Sequence, residues 1–203
     1  MKSEYVTHVE VLVEEPSMEA ALRILLPRML ATDVSFEVYQ HQSKDLLLRR
    51  LPARLKGYAA FVSSTYRIVV IVDRDDDDAT ELRARLDSIA DAAGFGAQRP
   101  LVVNRLAIEE LEAWYFGDWA AVRAAFPKVP AEVPKRARYR RPDAIAGGTW
   151  EALEQLLQKY GYHKGGLRKT EAARAISEHM VPARNESPSF AALRSTLGSF
   201  ARE

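Results

Sequence analysis

A short run of isoleucine and valine that ends in a cluster of aspartates constrains the fold of this chain more than any other feature. Residues 68–72 are all Ile or Val, and five Asp follow within six positions, at 73 and 75–78. An unbroken apolar run of this length is typical of a strand buried on both faces of a parallel sheet. Ligands of open α/β sheets bind at the carboxyl ends of the strands, where this cluster lies.

The five aspartates divide into two groups with different expected roles. Asp73 and Asp75 lie at the strand end, where crowded carboxylates raise one another's pKa unless a cation lies among them. Their hard carboxylate oxygens suit Mg²⁺, Mn²⁺ or Ca²⁺. Residues 76–78 precede a predicted helix at 79–93, which Asp78 can begin as N-cap. We therefore predict a functional role for the first two aspartates and a capping role for the other three.

Strands and helices alternate along the first half of the chain, which favours a parallel α/β sheet. The predicted strands are 6–13, 34–40, 67–72 and 100–104. The predicted helices between them are 17–31, with a kink at Pro27, 43–60, interrupted by Pro52, and 79–93. The helical pattern continues at 107–126, 149–160, 170–179 and 187–200.

The organisation that follows is a mainly parallel four-stranded sheet flanked by helices, with a C-terminal helical extension. We expect an α/β core over 1–126, a Pro- and Arg-rich connector over 127–142, and an extension over 143–203 that packs on the core as a single folded unit. The aromatics of 107–126 are assigned to core packing, since large aromatic side chains dominate protein cores.

Composition excludes several classes of protein. The chain has 203 residues, 47% of them hydrophobic, and its net charge of +1 gives no overall signal for a polyanionic partner. Cysteine is absent, so disulfides and thiolate metal sites are excluded, and the four histidines show no metal-ligand spacing. The beginning of the chain is too polar for a signal peptide, and no stretch has the length of a membrane span. We expect a cytoplasmic protein that does not associate with membranes.

Acidic residues follow three of the predicted strands. Glu14 follows the first strand, Asp73 and Asp75 follow the third, and the fourth is followed by Glu109, Glu110 and Glu112. If the strand order brings these ends together, the carboxylates form one pocket. Two divalent ions in such a pocket could activate a water and stabilise the leaving oxygen in phosphodiester cleavage.

These motifs resemble the Toprim domain of topoisomerases, primases and OLD-type nucleases, which has a Glu after its first strand and an Asp-x-Asp after a later one. The whole chain more closely resembles the Toprim-like family called domain of unknown function 4276. The segments that carry the resemblance are Glu14-x-Pro16-Ser17, Val72-Asp73-Arg74-Asp75, Glu110-Leu-Glu112-Ala-Trp114 with Asp118, Tyr162-His-Lys164 and Ser187-Pro-Ser-Phe190.

The resemblance implies a metal site of defined composition. Glu14 would be a metal ligand or general base, and Asp73 and Asp75 would bind Mg²⁺ or Mn²⁺. Glu112 would complete the site, with Glu110 as second choice. On a regular helix these two glutamates point about 200° apart, whereas an extended segment would align them.

Two further positions of the resemblance allow alternatives. Lys164 would contact a phosphate or the developing charge, but a lysine beside Gly165-Gly166 is equally typical of an ordinary exposed loop. The family usually has Gly directly after Glu14, where this chain has Glu15. The substitution either changes the backbone at a tight turn or adds another ligand.

The connector is strongly basic. Such a segment can follow a nucleic-acid backbone, although a run of charge with four prolines is also typical of a solvated loop. The residues that we predict to bind nucleic acid, most simply DNA, are Lys135, Arg136, Arg138, Arg140 and Arg141.

The function that the sequence favours is a metal-dependent Toprim-type nuclease in phage defence or DNA repair. Glycine-rich phosphate loops are absent from the sequence, so a separate ATPase partner is expected by analogy with OLD-type nucleases. The alternative is a catalytically silent binding or regulatory subunit of an ATPase complex. A phosphate-accepting receiver domain is disfavoured, because a receiver has its paired acids after the first strand.

Overall fold

The computed structural model describes residues 5–74, 77–107 and 110–200, and its centre is a four-stranded sheet. Neighbouring strands are parallel throughout, in the order β2-β1-β3-β4. The predicted α/β class and parallel sheet are therefore confirmed. The strands are β1 (His8–Val13), β2 (Ser35–Gln40), β3 (Tyr66–Asp73) and β4 (Val102–Ala107).

Eight α-helices accompany the sheet within the described ranges. Three of them connect successive strands: α1 (Pro16–Leu25), α2 (Lys44–Ala59) and α3 (Ala79–Ala92). The other five follow the sheet and include the predicted C-terminal helices. They are α4 (Leu111–Gly117), α5 (Trp119–Ala125), α6 (Thr149–Lys159), α7 (Lys169–His179) and α8 (Pro188–Gly198).

The helix boundaries differ from the sequence prediction at three places. Pro52 lies inside α2 without interrupting it, so the predicted break there was wrong. The α-helix α1 ends at Leu25 and continues through Pro27 as a 3₁₀ turn. The predicted helix 107–126 is two helices, because Asp118 has a non-helical backbone (φ −126°, ψ 68°) that ends α4 and begins α5.

The central strand β3 is apolar without interruption because both faces of the sheet are covered. Ile68, Val70 and Val72 face one hydrophobic core together with residues of α2 and α3. Val69 and Ile71 face the opposite core, which includes residues of α1 and of all five helices that follow the sheet. Alternate side chains of a strand point to opposite faces, so the run of Ile and Val fills two cores at once.

The aromatics that follow β4 lie in the second of these cores, as predicted. Trp114 is 1% exposed, packs edge-on against Phe190 at 5.2 Å between ring centroids, and donates from Nε1 to Ser189 Oγ at 3.1 Å. Phe116 stacks on Tyr139 at 5.4 Å, which attaches the basic connector to α4. The connector contains 3₁₀ turns, and Tyr139 is buried within it.

A network of hydrogen bonds joins α4 to the segment before α8. Asn185 donates from Nδ2 to the Trp114 carbonyl at 2.8 Å and accepts at Oδ1 from the Ser187 backbone at 2.9 Å. Asp118, with a side chain only 1% exposed, accepts two bonds from the Arg184 guanidinium and one from the Val181 backbone. These contacts place the C-terminal helices against the sheet.

Gly117→Ala is expected to destabilise the protein because this junction has no space for a methyl group. A Cβ at Gly117 would lie 2.2 Å from Asn185 Oδ1 and 2.7 Å from the Ser187 backbone nitrogen. We expect the free energy of unfolding in urea to fall by about 2–4 kcal/mol. The control is Gly57→Ala in α2, where a Cβ meets nothing within 4 Å and helix propensity rises, so stability should stay constant or increase. Equal effects of the two substitutions would contradict this account of the junction.

A candidate metal centre at the carboxyl edge of the sheet

The ends of β1 and β3 meet through Glu14. This residue directly follows β1, is 7% exposed, and accepts at Oε1 a 2.6 Å hydrogen bond from the Asp73 backbone nitrogen. The end of β2 joins the same edge, because the His41 backbone donates to the carbonyls of Val13 and Glu14. Parallel pairing therefore brings the acidic ends of the first and third strands together.

The described aspartates at the end of β3 and before α3 have different structural positions. Asp73 is the last residue of the strand, and Asp75, Asp76 and Glu109 lie outside the described residues. Asp78 caps α3, since its Oδ1 accepts from the backbone of Thr80 at 2.8 Å and of Glu81 at 3.0 Å. The predicted capping role of Asp78 is therefore confirmed.

The loop after β3 is fastened to the neighbouring helix by a lysine. Lys44, in the first turn of α2, donates to the Arg74 carbonyl at 3.1 Å and to the Asp77 carboxylate at 2.9 Å. This pair explains why the pKa of the exposed Asp77 is lowered, first through the hydrogen bond and then through the charge of Lys44. Asp77 therefore contributes to loop anchoring.

Glu110 and Glu112 flank the start of α4. Glu110 is the N-cap and has an extended backbone (φ −149°, ψ 174°), whereas Glu112 belongs to the first helical turn. The segment is therefore neither wholly helical nor wholly extended. Glu110 accepts at Oε2 from Thr149 Oγ1 at 3.1 Å and from the Trp150 backbone at 3.0 Å, and so holds the first turn of α6.

A cation that the sequence analysis did not select lies among these acids. Lys169, the first residue of α7, places its Nζ 3.6 Å from Glu15 Oε2 and 3.9 Å from Glu110 Oε1. The same ammonium lies 5.2 Å from the ring centroid of Trp150. We call Glu15, Asp73, Glu110 and Glu112 together with Lys169 the acidic cluster.

Burial and neighbouring charges raise the pKa values of three members of the acidic cluster. Glu112 is 2% exposed, and burial raises the pKa of its carboxyl to about 7, with Lys169 opposing and Glu110 and Glu15 adding to the increase. Burial also raises the pKa of Glu110, against its bond from Trp150. For Lys169 burial acts to lower the pKa, but the surrounding carboxylates, first Glu112, raise it above its usual value.

Glu15 occupies its position without backbone strain. Its backbone is extended (φ −107°, ψ 154°), a conformation open to every residue type, so glutamate is accommodated there without strain. Its carboxylate accepts a 3.1 Å bond from Ser17 Oγ and faces Lys169. Both alternatives raised for Glu15, a changed backbone at the turn and an additional ligand, stay predictions.

A buried hydroxyl borders the acidic cluster. Tyr115 is 1% exposed, and its hydroxyl makes no hydrogen bond of good geometry with any described residue. Burial raises its pKa well above the usual value, and the charges of Glu112 and Asp73 act in the same direction. Ser177 is the side chain near this hydroxyl, without good hydrogen-bond alignment, so an ordered water could complete its bonding.

The chemistry of this corner fits a hard divalent cation. Its donors are carboxylate oxygens, and four carboxylates act on the single ammonium of Lys169. Within the described ranges, no group of three or more His, Cys, Asp or Glu is arranged to hold a metal ion. The predicted ligand Asp75 lies outside those ranges, so the complete set predicted from the sequence (Glu14, Asp73, Asp75, Glu110 and Glu112) stays a prediction.

Lys164, which the sequence predicts to contact a phosphate, lies before the start of α7 and is not a member of the acidic cluster. It is exposed in the loop between α6 and α7, whose neighbouring residues Tyr162 and His163 pack against Phe126. Its predicted phosphate contact stays a prediction. Lys169 had no comparable local signal, because its proximity to the acids arises only when α7 packs on α1 and α5.

The basic connector presents its predicted cations to solvent. All five are exposed, and none forms an ion pair with a described carboxylate. Lys135 and Arg140 line a cleft of about 390 Å³ with Phe116 and Tyr139. Phe116 lies one helical turn after Glu112 on α4, about 6 Å further along the axis. The five cations are Lys135, Arg136, Arg138, Arg140 and Arg141.

Sequence comparison assigns the chain to a family. The model of the family described as Domain of unknown function (DUF4276) matches residues 13–198, and the chain belongs to that family. No curated protein and no solved structure matches it. In the described part of the chain, none of the helices combines the length and apolar character needed to cross a bilayer.

Glu112→Gln is expected to stabilise the metal-free protein above neutral pH. The folded-state pKa of Glu112 is raised from 4.5 to about 7, so its favourable contribution is complete below pH 4.5 and is lost as pH rises through about 7. By this linkage the contribution spans at most about 3 kcal/mol. We would compare urea unfolding of wild type and variant in EDTA at intervals from pH 4.5 to 8.5. The free energy of unfolding should decline less with rising pH in the variant than in wild type. Parallel declines in the two proteins would contradict the raised pKa of Glu112.

Proposed function

We propose that this protein is a divalent-metal-dependent nuclease of the Toprim type that cleaves nucleic-acid phosphodiester bonds. The observation that carries the proposal is the convergence of Glu14, Asp73, Glu110 and Glu112 at one corner of the sheet. Open α/β sheets use this edge for ligands, and the Toprim resemblance of Glu14 and Asp73-x-Asp75 supports the same location.

Each residue has a proposed task in this reaction. Glu14, Asp73, Asp75 and Glu112 hold Mg²⁺ or Mn²⁺, while Glu110 positions the start of α6 and faces the site with its second oxygen. A metal bound there would supply Lewis acidity and an activated water. Glu14, whose carboxylate accepts the hydrogen bond from the Asp73 backbone, would act as a metal ligand or as the general base. Lys164 and Lys169 are the candidates for contact with the substrate phosphate, and proximity to the acids favours Lys169.

Nucleic acid is the proposed substrate because basic and aromatic groups lie close to the acidic corner. The cleft between Lys135 and Arg140 begins at Phe116, on the same helix as Glu112. Exposed cations without carboxylate partners attract phosphate by releasing counterions. The proposed partners are DNA and a separate ATPase subunit, the latter by analogy with OLD-type nucleases, and the proposed setting is phage defence or DNA repair.

The alternative is a catalytically silent regulatory subunit of an ATPase complex. The contact of Lys169 with Glu15 and Glu110 favours it, since an ammonium can balance part of the charge of an acidic corner without metal. The two functions differ in one measurable property: only the nuclease requires a divalent ion bound at the corner.

Replacing Asp73 and Asp75 together by Ala is expected to abolish Mn²⁺ binding and cleavage. Loss of two hard ligands removes both the metal and the water it activates, so supercoiled plasmid cleavage should fall by about a hundredfold or more. Calorimetric Mn²⁺ titration and plasmid cleavage in the same buffer provide the two measurements.

The control for this experiment is Asp77→Ala, which lies in the same acidic run but pairs with Lys44. It should bind Mn²⁺ and cleave like wild type. Retained cleavage by the double variant would show that the proposed metal site is wrong. Binding without cleavage by wild type, alone and with the ATPase, would favour the silent subunit.

Replacing Lys135 and Arg140 together by Gln is expected to lower the affinity for DNA. It should also make that affinity less dependent on salt concentration. Each lost phosphate contact reduces the magnitude of the negative slope of the log binding constant against log salt concentration by about 0.9. Fluorescence anisotropy with labelled duplex DNA at several salt concentrations measures both quantities. The charge-matched control replaces the exposed Lys56 and Arg83, on α2 and α3, by Gln. Equal losses in both variants would show that the effect comes only from net charge.

A further inference from the structure

Lys169 is placed where its own helix does not favour a cation. It is the first residue of α7, and the N-terminus of an 11-residue helix carries partial positive charge that disfavours lysine. The side chain is 30% exposed, so it also loses part of its hydration. Both effects are unfavourable, and the carboxylates of the acidic cluster are the groups that offset them.

The acidic cluster in turn depends on this lysine. Glu15 and Glu110 lie within 4 Å of the ammonium, and Glu112 is the carboxylate that most strongly raises the lysine's pKa. Glu110 also fixes the start of α6 through Thr149 and Trp150. Lys169 is therefore a counterion of these carboxylates in the absence of a metal.

We propose that Lys169 is a built-in counterion that keeps the acidic corner folded without metal and competes with the divalent ion for its carboxylates. The inference rests on the proposed function, because it concerns the same site. The corner brings four carboxyl groups to this one ammonium, so a doubly charged ion would still be attracted to it as they ionise. A divalent ion bound to these carboxylates would repel the ammonium and weaken its contacts with Glu15 and Glu110. The free lysine is then available to a substrate phosphate only in the metal-bound form.

A second observation points to a ligand in this corner. Tyr115 is 1% exposed, and its hydroxyl, which lies near Ser177, makes no well-aligned hydrogen bond among the described residues and is within the field of Glu112 and Asp73. Lys169 does not satisfy it. A polar group enclosed in this way indicates that the corner accommodates more than the ammonium.

The test is a calorimetric titration of the full chain with Mn²⁺ alone. Lys169→Met removes the charge at similar length and should bind Mn²⁺ at least about tenfold more tightly than wild type, since one nearby repulsive charge is lost. Lys169→Arg keeps the charge and should bind like wild type. Lys159→Met, an exposed lysine at the end of α6, is the control for net charge and should leave the affinity constant.

Each outcome decides between the proposals. Equal or weaker binding by Lys169→Met would overturn the counterion while leaving the metal site in place. Absence of Mn²⁺ binding in wild type and in all three variants would overturn the metal site itself. If Lys169→Met is unfolded in EDTA, circular dichroism replaces calorimetry: refolding on addition of Mn²⁺ supports the counterion, and failure to refold overturns it.

Discussion

The contact of the Lys169 ammonium with the surrounding carboxylates is the interaction on which the described site depends. Buried carboxylates are costly unless a cation or hydrogen bonds compensate them. This compensation comes from α7, far along the chain from the strand ends that carry Glu14 and Asp73. The C-terminal helices therefore supply part of the site, in addition to covering the sheet. Removing them would expose the core and leave the acids at the sheet edge without their counterion.

Resemblance to a family does not by itself show which residues of a motif carry chemistry, and the described contacts give several of these residues structural roles. Asp118 and Ser187, which belong to the segments that resemble the family, are engaged in junctions: Asp118 holds Arg184, and Ser187 donates to the Asp143 carboxylate at 2.6 Å. Glu110 combines both roles, since one oxygen fixes α6 and the other faces Lys169. If the proposed nuclease activity is correct, substitution of Glu110 would lower it in two ways. The start of α6 would lose its hydrogen-bond acceptor, and the site would lose a carboxylate.

Much of the fold could be predicted from the sequence because its signals are local. The Ile and Val run of β3 and the Asp78 cap each act within a few residues, and the meeting of Glu14 with Asp73 follows from the pairing of adjacent parallel strands. The position of Lys169 could not be predicted, because it results from packing between distant helices. The break at Asp118 was also hidden, since the aromatic pattern runs through it and the partners of its side chain, Arg184 and Val181, lie far along the chain.

The central claim is that a divalent ion binds among the carboxylates at the end of β1 and β3. The most direct measurement is a crystal structure with Mn²⁺, in which anomalous scattering locates the ion independently of activity. The account predicts an anomalous peak in direct coordination with Glu14, Asp73 and Glu112, with the Lys169 ammonium moved away from Glu15. Carboxylates that remain paired with Lys169, with Mn²⁺ found only at the exposed surface, would contradict it.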